Sequence, residues 1–264
     1  DLGRWKHTSQ GVPVSGCMDL NSAMLANNLV GNVQGAAVME ITLQGPVLQF
    51  LQKTTIAICG ADLSAKLNDD RLLENEKAYE VNEGDTLQFG QRKTGARAYL
   101  SVKGGFKDED VLGSQSYYPG ITLRHLIEEG QLIGFGDNSV ETSSSAKFDI
   151  PLTSDELEVM PGPEFDRLNP QQVAFLFNNE FTLGSNNRMA YQLQEPLEND
   201  LAPIISSAVV PGTIQLTPSG KMIVLMRDCQ TTGGYPRILN LSWLSTNFLA
   251  QKMQLEKIRF IQKK

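Results

Sequence analysis

The chain has 264 residues, of which 41% are hydrophobic and 20% charged, a composition typical of a soluble globular protein with one large or two ordinary domains. Its net charge of −7 and the scatter of its basic residues argue against nucleic-acid binding. No apolar run is long enough to cross a bilayer and no signal-peptide pattern is present, so we expect no membrane interaction.

The cysteines and histidines are few and widely separated in the sequence. Cys17, Cys59 and Cys229 show no C-x-x-C spacing, and His7 and His125 are the only histidines. We therefore expect no metal site and no disulfide framework, and we expect a reducing, cytoplasmic location. The chain begins at Asp1 rather than at a methionine, and we expect a short segment to precede it in the full protein.

Short apolar runs separated by Gly, Pro, Asn and Asp predict a mainly β fold, either a sandwich or a barrel. The predicted strands are 38–42, 54–59, 86–89, 98–102, 157–160, 213–216 and 222–226. Gly84-Asp85 and Ser219-Gly220 are predicted to form hairpin turns.

Three short helices are predicted from apolar spacing and from end signals. The first covers 20–30, with Asp19 as its N-cap and Gly31 as its stop, and the others cover 122–129 and 242–252.

The polar, Ser-rich stretch 136–147 predicts a linker or mobile loop. It separates two predicted domains, 1–140 and 148–264, which we expect to pack closely and to exchange strands.

Asn27 lies on the otherwise apolar stripe of the first predicted helix, and two interpretations remain open. Its amide either hydrogen-bonds the backbone of a neighbouring loop or points into a ligand pocket.

The segment 11–19 before this helix is rich in Gly and small polar residues, and helix N-termini attract anions. It contains no Walker motif, however, and the chain carries no biotin-attachment motif around Lys252.

Residues 228–236 form the segment with the highest density of candidate ligand-binding groups. They contain two threonine hydroxyls, two glycines, a phenol and a proline directly after a predicted strand. Such a segment is either a tight turn that closes a hairpin or a loop that presents backbone N–H groups and hydroxyls to a small polar ligand. Cys229 has no obvious activating base nearby in sequence and is interpreted as a core thiol.

The segment 186–191 supplies a guanidinium that suits a carboxylate or a phosphate. If it is a strand, Asn187, Met189 and Tyr191 face one side and Arg188 faces the other. Arg188 is then either a surface arginine beside core residues or a ligand-binding group.

Taken together and in this order, these segments resemble the KipA-type family, also called allophanate hydrolase subunit 2 or the C-type subunit of 5-oxoprolinase, with the carboxyltransferase-domain subdomains A and B. The matching motifs in the first half are Asp1-Leu2-Gly3-Arg4, Gly11-Val12-Pro13, Ser15-Gly16, Met18-Asp19, Ala26-Asn27, Leu29-Val30-Gly31-Asn32, Glu40, Thr42, Gly45-Pro46, Gly104-Gly105 and Leu112-Gly113-Ser114. Those in the second half are Gly162-Pro163, Asn187-Arg188-Met189, Tyr191, Gln215, Thr231-Thr232-Gly233-Gly234-Tyr235-Pro236, Leu249-Ala250-Gln251 and Arg259-Phe260.

The resemblance implies two cyclophilin-like β-barrel subdomains with a few short helices. It implies one component of an ATP-dependent 5-oxoprolinase, an amidohydrolase that opens the lactam of 5-oxoproline to glutamate. In that enzyme the chain would act with a KipI-type partner, the B-type subunit, and with a third, A-type subunit. We expect the chain alone to be inactive. Two alternatives remain: a carboxyltransferase that modifies urea or allophanate with biotin carried elsewhere, and a regulatory protein that binds a KipI-type kinase inhibitor.

The same resemblance, with the chemistry of the residues, gives the candidate site. The predicted catalytic residues are Asp19, Thr231, Thr232 and Asp228, as donors to a developing oxyanion or as groups that orient water. The predicted substrate-binding residues are Arg4, Asn27, Asn187, Arg188, Tyr191, Gln215, Gly233, Gly234 and Tyr235, with Arg4 or Arg188 expected to hold the substrate carboxylate.

Overall fold

The computed structural model describes residues 1–123, 127–136 and 150–263. The chain folds into two compact units, of which the first contains Asp1–Gly3 and Asp19–Leu152 and the second contains Arg4–Met18 and Thr153–Lys264. The segment Arg4–Met18 therefore belongs to the unit built by the C-terminal half of the chain. The predicted domain division at 140–148 and most of the predicted linker fall outside the described residues.

The described residues contain three α-helices: α1 (Leu20–Leu29), α2 (Pro170–Asn178) and α3 (Trp243–Ala250). The predicted first and third helices are confirmed, and their N-caps Asp19 and Ser242 accept from the N–H groups of Ser22 and Ser245. The predicted helix 122–129 is wrong in its described residues 122–123 and 127–129, which are not helical, while 124–126 lie outside the description. No helix in the described ranges is long and apolar enough to span a membrane.

The first unit is built from short strands around two long central ones. Its strands are β1 (Met39–Thr42), β2 (Leu48–Gln49), β3 (Thr54–Asp62), β4 (Lys66–Leu67), β5 (Arg71–Leu72), β6 (Ala78–Val81), β7 (Thr86–Gln88), β8 (Thr94–Val102), β9 (Phe106–Lys107) and β10 (Gly134–Phe135). They form two four-stranded sheets, β1-β8-β3-β6 and β2-β7-β4-β5, and the pair β10-β9. One apolar core joins the two larger sheets, since it includes Ile56 and Leu100 of one and Leu67 and Leu87 of the other.

The second unit is a closed barrel with a small ribbon. Its strands are β11 (Glu156–Pro161), β12 (Phe181–Asn186), β13 (Ala190–Leu193), β14 (Ser207–Ala208), β15 (Thr213–Leu216), β16 (Met222–Leu225), β17 (Thr232–Gly233), β18 (Arg237–Leu241) and β19 (Lys257–Gln262). The barrel order is β11-β18-β15-β16-β13-β12-β19, and it closes because β19 pairs with both β12 and β11. Strands β14 and β17 form a separate two-stranded ribbon.

The mainly β fold with few short helices is confirmed, and each of the seven predicted strands corresponds to an observed one. The hairpin turn at Ser219-Gly220 is also confirmed, because β15 and β16 pair on either side of it. The hairpin predicted at Gly84-Asp85 is wrong, since β6 and β7 belong to different sheets. Backbone bonds of this turn to Phe50 tie it to the chain before β3 instead.

Candidate functional site

The loop 228–236 does not close a hairpin, so the tight-turn interpretation is wrong. Its central residues form β17, which pairs with β14 rather than with the preceding strand β16. The pairing continues on both sides, where the N–H of Val209 donates to Thr231 O at 3.0 Å and that of Ile204 donates to Gly234 O at 2.9 Å. The loop is thus held as one strand of a ribbon.

The side chain of Gln215 in β15 lies directly against Gly233. A Cβ atom at this position would lie 2.4 Å from Gln215 Nε2, closer than non-bonded atoms approach. The Gln215 side chain is buried, and its Nε2 donates to Tyr235 O at 3.4 Å. The predicted site residues Gln215, Gly233 and Tyr235 are therefore brought together, with the amide beneath the loop.

The threonines of this loop have hydroxyls available to a ligand. Thr231 is half-buried and Thr232 exposed, and neither hydroxyl has a hydrogen-bond partner among residues 1–123, 127–136 and 150–263. Tyr235 is 40% exposed, so its phenol also lies at the surface of the described chain. The loop presents hydroxyls on a backbone fixed by β pairing, which is a suitable arrangement for hydrogen-bonding a small polar molecule.

Arg188 and Asp228 form a bidentate ion pair in the second unit. Arg188 Nε lies 2.8 Å from Asp228 Oδ2 and Nη2 lies 3.1 Å from Oδ1. The same Nη2 donates to Gly16 O at 2.6 Å, and the N–H of Asp228 donates back to Arg188 O at 2.9 Å. The guanidinium is therefore engaged with the N-terminal segment and with its carboxylate partner.

The turn at Ser15-Gly16 lies beside this ion pair. Ser15 has φ +58° and Gly16 has φ +78°, so two consecutive residues adopt the left-handed conformation. The N–H of Ser15 donates to Arg227 O at 2.9 Å. Arg227 is buried, and its guanidinium donates to Asn247 Oδ1 at 2.9 Å and to Met18 O at 3.4 Å.

Asn187 and Tyr191 have structural environments. Asn187 Oδ1 accepts from the N–H groups of Met189 and Ala190, which makes it the pivot of the turn before β13. Tyr191 is completely buried, whereas Met189 is 44% exposed. The predicted strand alternation from 187 to 191 is wrong because β13 begins only at Ala190.

In the first unit, Asp19 caps α1 with both carboxylate oxygens. Oδ1 accepts from Ser22 N at 3.1 Å and Oδ2 accepts from Ser22 Oγ at 2.6 Å. The backbone N–H of Asp19 donates to Tyr99 Oη at 2.8 Å, and that hydroxyl donates to Glu40 Oε2 at 2.9 Å. Tyr99 and Glu40 thus connect the start of the helix to β8 and β1.

The amide of Asn27 hydrogen-bonds the backbone of a neighbouring loop, which is the first of the two interpretations that the sequence left open. Its Nδ2 donates to the backbone oxygens of Gln34 at 3.2 Å and Ala36 at 2.8 Å. Its Oδ1 accepts from Ser101 Oγ at 2.7 Å and from Asn32 Nδ2 at 3.2 Å. The side chain is buried and fixes the loop after α1 onto β8.

Arg4 lies in the second unit, where its backbone N–H donates to Val14 O at 2.7 Å, and the residue is 1% exposed. The neighbouring Asp1 organises a loop of the first unit instead. Its carboxylate accepts from the hydroxyls of Ser114 and Ser116 and from the N–H of Gln115.

The cysteines are buried thiols rather than nucleophiles. Burial raises the pKa of Cys229 to about 12, and burial also raises the pKa of Cys59 far above its ordinary value. Both thiols are therefore protonated at neutral pH. Within the described residues there is no cluster of three His, Cys, Asp or Glu side chains that could hold a metal ion.

A family model described as "Carboxyltransferase domain, subdomain A and B" matches residues 10–262. The chain belongs to this carboxyltransferase-domain family. It is 32% identical over 273 residues to a Haemophilus influenzae protein that is named as the C subunit of 5-oxoprolinase, and the match covers 98% of this chain and 86% of that protein.

Solved structures resemble this carboxyltransferase-domain chain along almost its whole length. The crystal structure of TTHA0988 has a TM-score of 0.86 at 28% identity, and the match covers 99% of this chain and 53% of that one. The crystal structure of the Kluyveromyces lactis urea carboxylase has a TM-score of 0.85 at 26% identity and is matched over 26% of its length. This chain thus spans about half of the first solved chain and about a quarter of the second.

The predicted site residues of this carboxyltransferase-domain protein fall into separate groups. Asp19 and Asn27 belong to the first unit, and the other candidates belong to the second. Ser15 and Arg227 were not predicted as site residues. The unusual conformation of Ser15 has no signature in the sequence, because serine ordinarily avoids positive φ. Arg227 had one available signal, its position next to the candidate Asp228.

Proposed function

We propose that this chain is the C-type subunit of an ATP-dependent 5-oxoprolinase. The observation that carries the proposal is the similarity, along nearly the whole chain, to a protein named as the C subunit of that enzyme. That name also supports a multi-subunit complex, and we propose that a KipI-type B subunit and a third, A-type subunit complete it in the cytoplasm. ATP is used by the complex, and this chain contributes no Walker motif to its binding.

The proposed reaction is difficult because a lactam is a stabilised amide. Transfer of the γ-phosphoryl group of ATP to the lactam oxygen releases ADP and activates the ring carbon, to which water adds. The ring C–N bond then breaks with protonation of the nitrogen and leaves an acyl phosphate, which a second water hydrolyses to glutamate and phosphate. When water attacks the carbonyl group of the acyl phosphate, its oxygen carries developing negative charge, so fixed donors beside it lower the barrier. We assign this role to Thr231 and Thr232 with the backbone of Gly233-Gly234, whose position is fixed by the ribbon.

The remaining roles follow from charge. A substrate carboxylate needs a cation, which we assign to Arg4 or Arg188. The side chain of Gln215 contacts the loop at Gly233 and donates a hydrogen bond to the backbone oxygen of Tyr235, at the end of the loop.

The test is glutamate formation from 5-oxoproline and ATP by the reconstituted complex, with each subunit omitted in turn. We expect glutamate only in the full mixture. Thr232→Val should lower kcat by about 10²-fold, the usual effect of removing one oxyanion donor. Thr153→Val, at another exposed threonine of the second unit, is the matched control and should leave kcat unchanged. Equal turnover by the two variants would contradict the assignment.

A second candidate function is favoured by the resemblance to urea carboxylase. In that case the chain transfers a carboxyl group from biotin on a separate carrier protein to urea or a similar small amide. The two functions are separated by substrate: carboxylation of urea with a biotinylated carrier and bicarbonate, without glutamate formation, would replace the first proposal by the second.

A further inference from the structure

Ser15 combines two features that are unfavourable for folding. Its φ of +58° is a conformation that serine adopts at a cost and glycine adopts freely. It is also 1% exposed, and its hydroxyl has no hydrogen-bond partner among the described residues. A glycine at this position would remove both costs, so stability alone does not explain the serine.

The surrounding contacts hold the turn in this conformation. The N–H of Ser15 is bound to Arg227 O at 2.9 Å, and the carbonyl of Gly16 is bound to Arg188 Nη2 at 2.6 Å. Arg188 is itself fixed by two bonds to Asp228. The two ends of the turn are therefore hydrogen-bonded to Arg188, which precedes β13 of the barrel, and to Arg227, which follows β16.

The same contacts make Arg188 poorly suited to a substrate carboxylate. Its positive charge is neutralised by Asp228, whose side chain is 8% exposed, and its Nη2 also binds the backbone of the turn. A substrate carboxylate would have to compete with a carboxylate that is already bound in bidentate geometry. The guanidinium instead joins Asp228 to Gly16.

We propose that Ser15 is a substrate-contacting residue of the enzyme, and that Arg188 and Asp228 are the positioning residues that hold it. The Ser15 hydroxyl donates a hydrogen bond to an oxygen of the lactam substrate in a site closed to bulk water, where one donor has a large effect on the barrier. This inference rests on the proposed function, and it leaves Arg4 as the candidate for the substrate carboxylate.

The first measurement is the stability of the chain alone. Ser15→Ala removes the unpartnered hydroxyl and Ser15→Gly removes the backbone cost as well, so neither should lower the melting temperature and Ser15→Gly should raise it. The increase in melting temperature caused by Ser15→Gly should be smaller when Arg188→Met is also present. Without the Arg188 side chain, the turn is no longer held and can relax to another conformation. A lower melting temperature for both Ser15 variants would show that the serine is structural, which overturns the proposal.

The second measurement is turnover of 5-oxoproline by the complete complex. We expect Ser15→Ala and Arg188→Met each to lower kcat/KM by at least tenfold, and the double variant to be no worse than the poorer single one. Arg188 acts through Ser15 in this proposal, so its loss has little further effect once the hydroxyl is gone. Losses that multiply would mean that Arg188 contacts the substrate directly.

Arg237→Met is the matched control for this cycle. Arg237 also makes a bidentate pair with a carboxylate, Glu164, and donates to a backbone oxygen, that of Ala208. Its effect on kcat/KM should multiply with that of Ser15→Ala. If the wild-type complex forms no glutamate, the proposed function fails, whereas the melting-temperature cycle still decides whether Arg188 clamps the turn.

Discussion

At the scale of single residues, the carboxylate of Glu164 in the second unit is bound by three hydrogen bonds from one arginine. It accepts from Arg237 Nε at 3.0 Å, from Nη2 at 2.9 Å and from the N–H of Arg237 at 2.9 Å. These hydrogen bonds from Arg237 hold the pKa of Glu164 below its ordinary value, and they raise the pKa of the guanidinium. The ionised carboxylate is therefore more favourable in the folded chain than in the unfolded one.

The sign of the pH dependence follows from this lowered pKa. The contribution of Glu164 to stability is complete above the ordinary pKa of 4.5 and is lost as the pH falls through the lowered folded value. We expect Glu164→Gln to cost about 2 kcal/mol at pH 7, because it removes charged hydrogen bonds at a buried site. Its free energy of unfolding should then fall less between pH 6 and pH 3 than that of the wild type.

Denaturant unfolding at a series of pH values checks this expectation. Glu180→Gln is the control, because Glu180 pairs with Lys257 at a site where both side chains are more than half exposed. Such a pair contributes at most about 1 kcal/mol. Parallel pH curves for wild type and Glu164→Gln would contradict the role of the ion pair.

Residue-level prediction succeeded where a side chain acts through local backbone geometry. Asp19 was identified as a cap because its position before an apolar stripe is enough to define it. Tyr191 and Asn187 were assigned to ligand binding, although one is buried in the barrel and the other fixes a turn. Their environments depend on where β13 begins, because Asn187 and Met189 lie before its first residue, Ala190, and therefore outside the alternation of the strand.

At the scale of elements, the ribbon β14–β17 contacts the barrel where Gly233 of β17 lies against the side chain of Gln215 in β15. We expect Gly233→Ala to destabilise the second unit by about 1–3 kcal/mol, because the new methyl group would overlap with the buried amide. The cost should be clearly smaller in a Gln215→Ala background, where the amide is absent. Thermal or urea unfolding of the single and double variants measures it.

Gly134→Ala is the control for this prediction, because a Cβ at Gly134 would meet Lys107 Cβ only at an ordinary 3.9 Å. Similar costs at the two glycines would mean that lost chain freedom, rather than the contact with Gln215, governs residue 233.

The sequence predicted the positions of the strands accurately, but it did not predict which strands pair with one another. Apolar runs bounded by turn residues mark strands wherever they pair, so all seven predicted strands were found. The helix α2 was missed although Asn169 and Gln172 form a capping box with Pro170 in the first turn. The pairing of β17 with β14 was not predictable, because the two barrel strands β15 and β16 lie between them along the chain.

At the scale of the whole molecule, the second unit is assembled from both ends of the chain. Arg4–Met18 supplies buried residues to it, including Val14, and its backbone binds Arg188 and Arg227. The sequence predicted a break between residues 140 and 148 and an exchange of strands between the two halves. It did not identify the first residues as a segment of the second unit, since local patterns do not report contacts between distant parts of a chain.

This arrangement predicts that a fragment of residues 153–264 is incomplete. We expect it to melt at a lower temperature than the full chain and to be stabilised by a synthetic peptide of residues 4–18 added in excess. A peptide with Gly16→Pro is the control, since proline would impose a negative φ where the turn needs +78°. A fragment as stable as the full chain, with no response to the peptide, would contradict this assembly of the second unit.

The position of Arg4–Met18 also has a consequence for biosynthesis. The ribosome makes this segment before the rest of the second unit, and its partner Arg227 follows Met18 by 209 residues. At about 5–20 residues per second, the segment waits roughly 10–40 s before that partner exists. The nascent chain therefore carries Arg4–Met18 without its contacts to Arg188 and Arg227 while most of the described chain is being made, and the second unit can be completed only after Arg227 has been synthesised.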